Sequence, residues 1–289
     1  RAARISGQER ALNQTSRFPA HAVSTGPLLS ASEARPMLEA LASAGGVIAM
    51  ITGIDGAFYR PLGALMAFPT SADPVGSLSS GCIEGDLALH AQQVAETDTL
   101  RTLLYGKGSS FVDIRLPCGS GIEVTLLPIR DPAPLRATLE RIDDRHETTL
   151  ALPGLPDLRL RPDPRMVVFG EGPEADGFAM LAAAAGYPVA RPVRARPEEI
   201  DPRSAVVLFF HDHERELDIL TAALDSDAFW IGAQGSRTAH ARRCEGLQDR
   251  GAAKPAIDRV RGPIGLIPGT RDPRVLSISV LAEIIEAAR

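Results

Sequence analysis

The 289-residue sequence has only three cysteines, 4% aromatic residues, and just two lysines (Lys107 and Lys254) among its 31 basic side chains. Three thiols cannot build a disulfide framework. The near-absence of lysine reads as genome composition rather than phosphate chemistry. No uninterrupted apolar run approaches the roughly 20 residues of a membrane-spanning helix; residues 178–185 are among the longest. Basic excess is lacking too. The net charge of −5 argues against a general nucleic-acid binder, which needs a basic face. The first residues lack a Met and a following apolar stretch, so they read as a trimmed terminus without a signal peptide, and a reducing cytoplasm is the expected setting. What is present, 44% hydrophobic and 23% charged residues, describes a globular chain long enough for two ordinary domains.

The two halves have different patterns. From Arg165 onward, short apolar runs alternate with helical patterns: strands over 166–169, 187–189, 205–210 and 229–231, and helices over 174–186, 214–224 and 237–250. Asp272-Pro273 reads as an N-cap followed by proline in the first helical position, opening a helix to about Ala288. This alternation predicts βαβ units, a parallel sheet and a Rossmann-like domain. The first half predicts an α+β domain. It has a helix over 32–44 capped by Ser30 or Ser32, a strand over 47–52, the segment 59–66, a glycine-rich turn, a helix over 84–96, and strands over 111–116 and 122–128. Prolines between 153 and 164 mark a linker. The expected organisation is an α+β domain over 1–155, with 1–20 disordered, and a Rossmann-like domain over 163–289.

The chemistry-bearing residues lie in glycine turns. GSLSSGCIEGD (76–86) leads directly into a helix, where small residues let backbone amides approach a ligand and the helix start favours an anion. The same field would favour the thiolate of Cys82, while Glu84 and Asp86 could serve the helix dipole alone. A tight turn around a buried small residue is the competing reading. Cys118 lies in a second glycine turn, and the two cysteines suggest a shared site, although they lack C-x-x-C geometry and nearby histidines for structural zinc. Cys244, beside Arg242 and Arg243, reads as a helix-packing residue.

In the second half, Gly170-Glu171-Gly172-Pro173-Glu174-Ala175 follows a strand and precedes a helix, the setting of a dinucleotide fingerprint. No acidic residue ends the next strand. Arg191, Arg194 and Arg196 stand there, able to receive a ribose phosphate as in NADP readers, whereas Glu171 would repel a pyrophosphate. NAD(P)-dependent oxidoreduction is therefore the alternative function, without a visible proton-relay pair. His211-Asp212-His213 is either a metal or proton-shuttle loop or a helix cap. Gly235-Ser236-Arg237 is either an anion cradle or a plain strand-to-helix turn.

Taken together, YRPLGALM (59–66), GSLSSGCIEGD (76–86), CGSGI (118–122), FGEGPEA (169–175), HDH (211–213), FWIGAQGSR (229–237), PIGL (263–266) and SISVLAEII (277–285) resemble the xanthine dehydrogenase accessory protein family, also called XdhC/CoxI-like. The resemblance runs from about residue 35 to the end. It implies a maturation factor rather than a catalyst, one that binds molybdenum cofactor in its molybdopterin or cytosine dinucleotide form. Such a factor supports sulfuration of the cofactor, with a cysteine desulfurase as a partner, and delivers it to a molybdenum hydroxylase apoenzyme of the xanthine or carbon monoxide dehydrogenase type. Carried over by position, Cys82 is the first cofactor-handling thiol and Cys118 the second, with Ser79, Gly81, Glu84, Gly170, Gly172, Gly235, Ser236 and Arg237 around the ligand. Three departures stand out: Ser80 replaces a second glycine, Ser120 interrupts a Gly-Gly, and Ile267 replaces an acidic residue. A homodimer is expected on general grounds.

Overall fold

The computed structural model describes residues 26–107, 119–210 and 213–289. The chain divides into two compact units, with the boundary between Arg161 and Pro162.

In the first unit the described elements are β1 (Leu28–Ser30), α1 (Ala31–Ala44), β2 (Gly46–Asp55), β3 (Leu65–Pro69), β4 (Val75–Gly76), α2 (Glu84–Thr97), β5 (Arg101–Gly106), β6 (Gly121–Ile129), α3 (Ala133–Asp143), β7 (Thr148–Leu150) and β8 (Leu158–Arg161). Five strands form an antiparallel sheet in the order β4-β3-β2-β6-β5. Successive residues of a strand face opposite sides, and β2 uses both. Ile48 and Met50 pack with Leu38 and Leu41 of α1 and Leu135 of α3. Val47, Ala49 and Ile51 pack with Leu87 and Val94 of α2. The second of these cores also takes in Leu78 and Ile83, which pins both flanks of the glycine turn to the sheet and leaves its tip outside.

A bulge between Ile51 and Gly53 shifts the register of β2 against β6. The Ser30 side chain caps α1 by accepting from the amide of Glu33, as one of the two capping alternatives predicts. The proline-punctuated stretch expected as a linker is not one throughout. Leu158–Arg161 pairs with both β1 and β7 in a second, three-stranded sheet. Its leucines, Leu158 and Leu160, are fully buried. A four-residue alternation of leucine and arginine is a complete short strand, and the prolines on either side only bound it. Helix α3 and strand β5 went unread as well: α3 opens on Pro132 and Pro134, and β5 alternates over too few residues to stand out. The expected strand over 111–116 and the 1–20 segment lie outside the described residues.

The second unit follows its expected alternation, with the strand expected over 187–189 found at Val189–Ala190 and a short helix and a fifth strand after residue 250 that went unread. Its described elements are β9 (Arg165–Gly170), α4 (Pro173–Ala184), β10 (Val189–Ala190), a single 3-10 turn (Pro197–Glu199), β11 (Ser204–Phe209), α5 (His213–Leu224), β12 (Trp230–Ala233), α6 (Arg237–Asp249), α7 (Lys254–Ile257), β13 (Val260–Arg261) and α8 (Pro273–Ala287). All five strands are parallel, in the order β10-β9-β11-β12-β13. Val167, Val206 and Ile231 face Leu220 of α5 and Leu247 of α6 on one side. Met166, Val207 and Trp230 face Phe178 of α4 and Val280 of α8 on the other. Burial on both faces explains why these strands read as near-continuous apolar runs. Asp272 caps α8 through the amide of Arg274, with Pro273 in the first turn. The strand order places a topological switch between β9 and β11, and the carboxyl ends of the strands are the ligand-binding edge of such sheets. Among the described residues no helix is long and apolar enough to cross a membrane.

Candidate functional site

Three glycine turns that run into helix starts were candidates for anion binding. The structure gives each a different fate.

In the first unit, the turn before α2 is filled from within. The Glu84 carboxylate folds back into the loop and takes six donors. Its Oε1 accepts from the Ser77 hydroxyl at 2.7 Å and from the amides of Leu78 and Ser79 at 3.0 and 2.6 Å. Its Oε2 accepts from the Ser79 hydroxyl and from the amides of Gly81 and Ile83 at 2.8 and 3.2 Å. Burial alone would raise the pKa of this carboxyl, but the hydrogen bonds from Ser79, Ser77 and the backbone outweigh it and hold it at about 2. The loop therefore offers no free nest of amides around an outside phosphate; its own carboxylate occupies that place. Glu84 is more than a dipole partner for the helix, and it is the organising side chain of the loop.

The same arrangement leaves Cys82 at the tip, exposed and free, between the buried Ser79 and the buried Ile83. Gly81, at φ 105°, has open space where a side chain would stand. Ser80 sits at φ 54°, the left-handed region that glycine adopts freely, which is the physical reason a glycine would suit this position. The Tyr59 hydroxyl donates to Ser80 Oγ at 3.1 Å, bringing an exposed aromatic ring alongside the tip. Below the loop, the fully buried Tyr105 donates to Asp86 at 2.6 Å; burial, then this bond, push its pKa well above the ordinary tyrosine value. Residues 108–118, Cys118 among them, lie outside the described residues, as do His211 and Asp212; His213 is the first residue of α5.

In the second unit the fingerprint turn has the expected backbone and unexpected electrostatics. Gly170 is needed for close approach: a Cβ there would lie 2.2 Å from the Phe209 carbonyl oxygen of the neighbouring strand. Gly172 precedes Pro173 at the start of α4. Around this start stand Glu171, Glu174 and Asp176, and Glu174 Oε2 lies 3.9 Å from where a Gly172 Cβ would be. Of the arginines expected to receive a ribose phosphate, Arg191 is bound to Asp176 at 2.7 Å and to the Gly170 carbonyl at 3.1 Å, and Arg196 to Glu199 at 3.0 Å. Carboxylates already serve this helix dipole, which works against a pyrophosphate.

The third turn, before α6, is basic. Ser236 caps the helix by accepting from the amide of Ala239 at 3.2 Å. Arg237 and Arg242 are exposed, whereas Arg243 is buried with Glu216 of α5 in a two-pronged ion pair, Nε to Oε2 and Nη2 to Oε1 both at 2.9 Å. Arg243 Nη2 also donates to the Gln234 carbonyl. Gly235, at φ 142°, lies directly over this guanidinium. Arg243 and Glu216 went unread as site residues, because their partnership spans two helices and nothing local announces it. Cys244 is half-buried in the core beside them, with its sulfur 3.7 Å from His240 Nε2. Among the described residues no group of three metal-capable side chains gathers.

The structure thus assembles Ser79, Gly81, Cys82 and Glu84 into one loop of the first unit. In the second unit it gathers Gly170 with Gly172 at one helix start and Gly235, Ser236 and Arg237 at another.

Comparison with known proteins agrees with this architecture. Residues 166–284 match the XdhC Rossmann domain, and residues 41–106 match the XdhC and CoxI family. The molybdenum cofactor insertion chaperone PaoD of Escherichia coli is 35% identical over 271 residues, covering 86% of this chain and 85% of its own. A probable xanthine dehydrogenase subunit of Bacillus subtilis is 26% identical, covering 84% of this chain and 93% of its own. The crystal structure of a xanthine dehydrogenase from Bacillus halodurans, at 22% identity, superposes with a TM-score of 0.67 over 87% of this chain and 94% of that one, a likeness of fold.

Proposed function

The chain belongs to the XdhC and CoxI family, and on that premise we propose that it is a molybdenum cofactor insertion chaperone for a molybdenum hydroxylase apoenzyme. The molybdenum cofactor is its cargo rather than a resident group. The observation that carries the reading is the Cys82 loop. Six of its donors are already engaged by Glu84, so the loop is ordered from within and holds out an exposed thiol. An internally hydrogen-bonded support holding a thiol in the open suits transient capture and release, because little ordering entropy is lost on either step. Cys82 is the thiol that approaches the cargo, and a reducing cytoplasm would keep it free. The finer parts of the proposal are the cytosine dinucleotide or molybdopterin form of the cargo, sulfuration with a cysteine desulfurase, and a homodimeric carrier.

The test compares the full chain with Cys82→Ser, each purified anaerobically with the cofactor and then mixed with a hydroxylase apoenzyme. We expect at least tenfold less retained molybdenum in the variant, with an unchanged thermal midpoint because the side chain is exposed. Equal retention and equal transfer would remove Cys82 from the mechanism. Nucleotide released from the bound cofactor on hydrolysis identifies its form.

A further inference from the structure

We propose that the start of α6 is a phosphoryl-binding site anchored by Arg243, which receives the phosphate of an organic ligand in the second unit. Its ligand identity, but not the site, rests on reading the chain as a cofactor carrier.

The first observation is an incomplete set of hydrogen bonds. A guanidinium has five N–H bonds, and in Arg243 the Nε and Nη2 edge is satisfied by Glu216 and the Gln234 carbonyl. Nη1, on the opposite edge, has no partner although the residue is only 3% exposed. Buried donors are rarely left unpaired in native proteins, and each exception calls for a physical reason. Glu216 holds the guanidinium so that the free edge lies under the loop: a Cβ on Gly235 would come within 3.0 Å of Nη2 and 3.3 Å of Nη1. Glycine keeps the cover thin, so that the unpaired Nη1 donor lies close beneath the surface of the turn.

The second observation is the space above it. A cavity of about 330 Å³ is lined by Phe210, Gln234, Gly235, Ala239 and Arg242 as well as the buried pair. Gly235 and Ala239 of this lining flank the start of α6, whose first-turn amides no helix can satisfy internally and which favours an anion. Arg237 and Arg242 add exposed positive charge, and neither forms an ion pair among the described residues. Phe210 and Ala239 supply an apolar wall beside these donors. The volume lies near the lower bound for ligand pockets, which suits one phosphorylated heterocycle better than a whole dinucleotide. A nucleotide and a phosphorylated pterin share that chemistry.

The test titrates the full chain by calorimetry with cytidine 5′-monophosphate, cytidine, 6-hydroxymethylpterin monophosphate and 6-hydroxymethylpterin, with inorganic phosphate as competitor. At least one phosphorylated probe should bind tenfold or more tightly than its unphosphorylated parent and be displaced by phosphate. Whichever phosphorylated probe binds better identifies the source of the phosphoryl group. Arg242→Glu, a surface change that leaves the core intact, should weaken it at least tenfold. Arg243→Lys, which keeps a charge opposite Glu216 but loses Nη1, should do the same. Equal binding of phosphorylated and parent probes, no binding of either phosphorylated probe, or wild-type affinity in Arg242→Glu would each overturn the site. If molybdenum retention depends on Cys82 while no phosphorylated probe binds, the carrier reading stands and this site falls. Phosphorylated probes binding to a chain that retains no molybdenum would mean the reverse.

Discussion

The starts of α4 and α6 lie at the carboxyl edge of one parallel sheet and carry opposite charge. The α4 start has the glycine spacing of a dinucleotide fingerprint, yet Glu171, Glu174 and Asp176 surround it, and Arg191 is drawn onto Asp176 and the Gly170 carbonyl. The α6 start has no named fingerprint, but it combines a serine cap, two exposed arginines and a buried guanidinium. Glycine spacing determines how sharply the chain turns and how closely strands approach. Whether an anion is welcome is decided by side chains that arrive from elsewhere. The Cys82 turn makes the same point a third way, since its amides are filled by Glu84 from the helix they precede.

This contrast can be broken by experiment. The largest effect is expected at the buried pair. Glu216→Ala leaves Arg243 buried without its counterion and should cost about 3–5 kcal/mol, read as a lower urea midpoint. A loss below about 1 kcal/mol would mean that the pair is not holding α5 to α6.

Next comes Glu84→Gln, which keeps the shape but exchanges two acceptor oxygens for one and adds donors facing donors. Unpaired polar groups in this half-buried loop should cost about 2 kcal/mol, and amide exchange at Ser79 and Gly81 should rise. The same carboxylate gives a pH dependence. Its folded pKa is depressed to about 2, so its contribution is complete above the unfolded value near 4.5 and fades as pH falls from there toward 2. The protection factor of the Gly81 amide, its exchange rate relative to the intrinsic rate at each pH, should fall down that range, and a constant protection factor would contradict the assignment. Ser236→Ala removes the α6 cap and should cost about 1 kcal/mol, together with affinity for phosphorylated probes.

The smallest change in stability, within about 0.5 kcal/mol, is expected for the pair Glu171→Gln and Glu174→Gln. Glu171 is exposed and Glu174 half-buried at the helix start, so the informative readout is ligand binding. If the α4 start then binds pyrophosphate, acidity alone was the barrier.

Much of the fold was legible locally. The apolar runs that became β9, β11 and β12, the Asp272-Pro273 start of α8 and the Ser30 cap of α1 depend on residues within a few positions of one another. Strand β8 was hidden because its four residues sit among prolines, and its partners β1 and β7 are themselves only three residues each. The glycine turns were also read from neighbours in sequence, but the exposure of Cys82 was not, since a tight turn around a buried small residue fits the same local pattern. The inward role of Glu84 was not, since a glutamate in the first turn of a helix has an adequate use outside it. Arg243 with Glu216 was further out of reach: the two are 27 positions apart, and only the packing of α5 against α6 brings them together.

By itself, then, the sequence determined that this protein has two units of different grammar, where its turns fall, and which family it resembles. Those properties follow from periodicity, capping and glycine conformation, all of them short-range. Tertiary structure alone decided which helix starts are filled, which are acidic and which are open to an anion. Hydrogen bonds and buried charges are satisfied or orphaned only once distant elements have packed, and that final pairing leaves Cys82 exposed and Arg243 Nη1 without a partner.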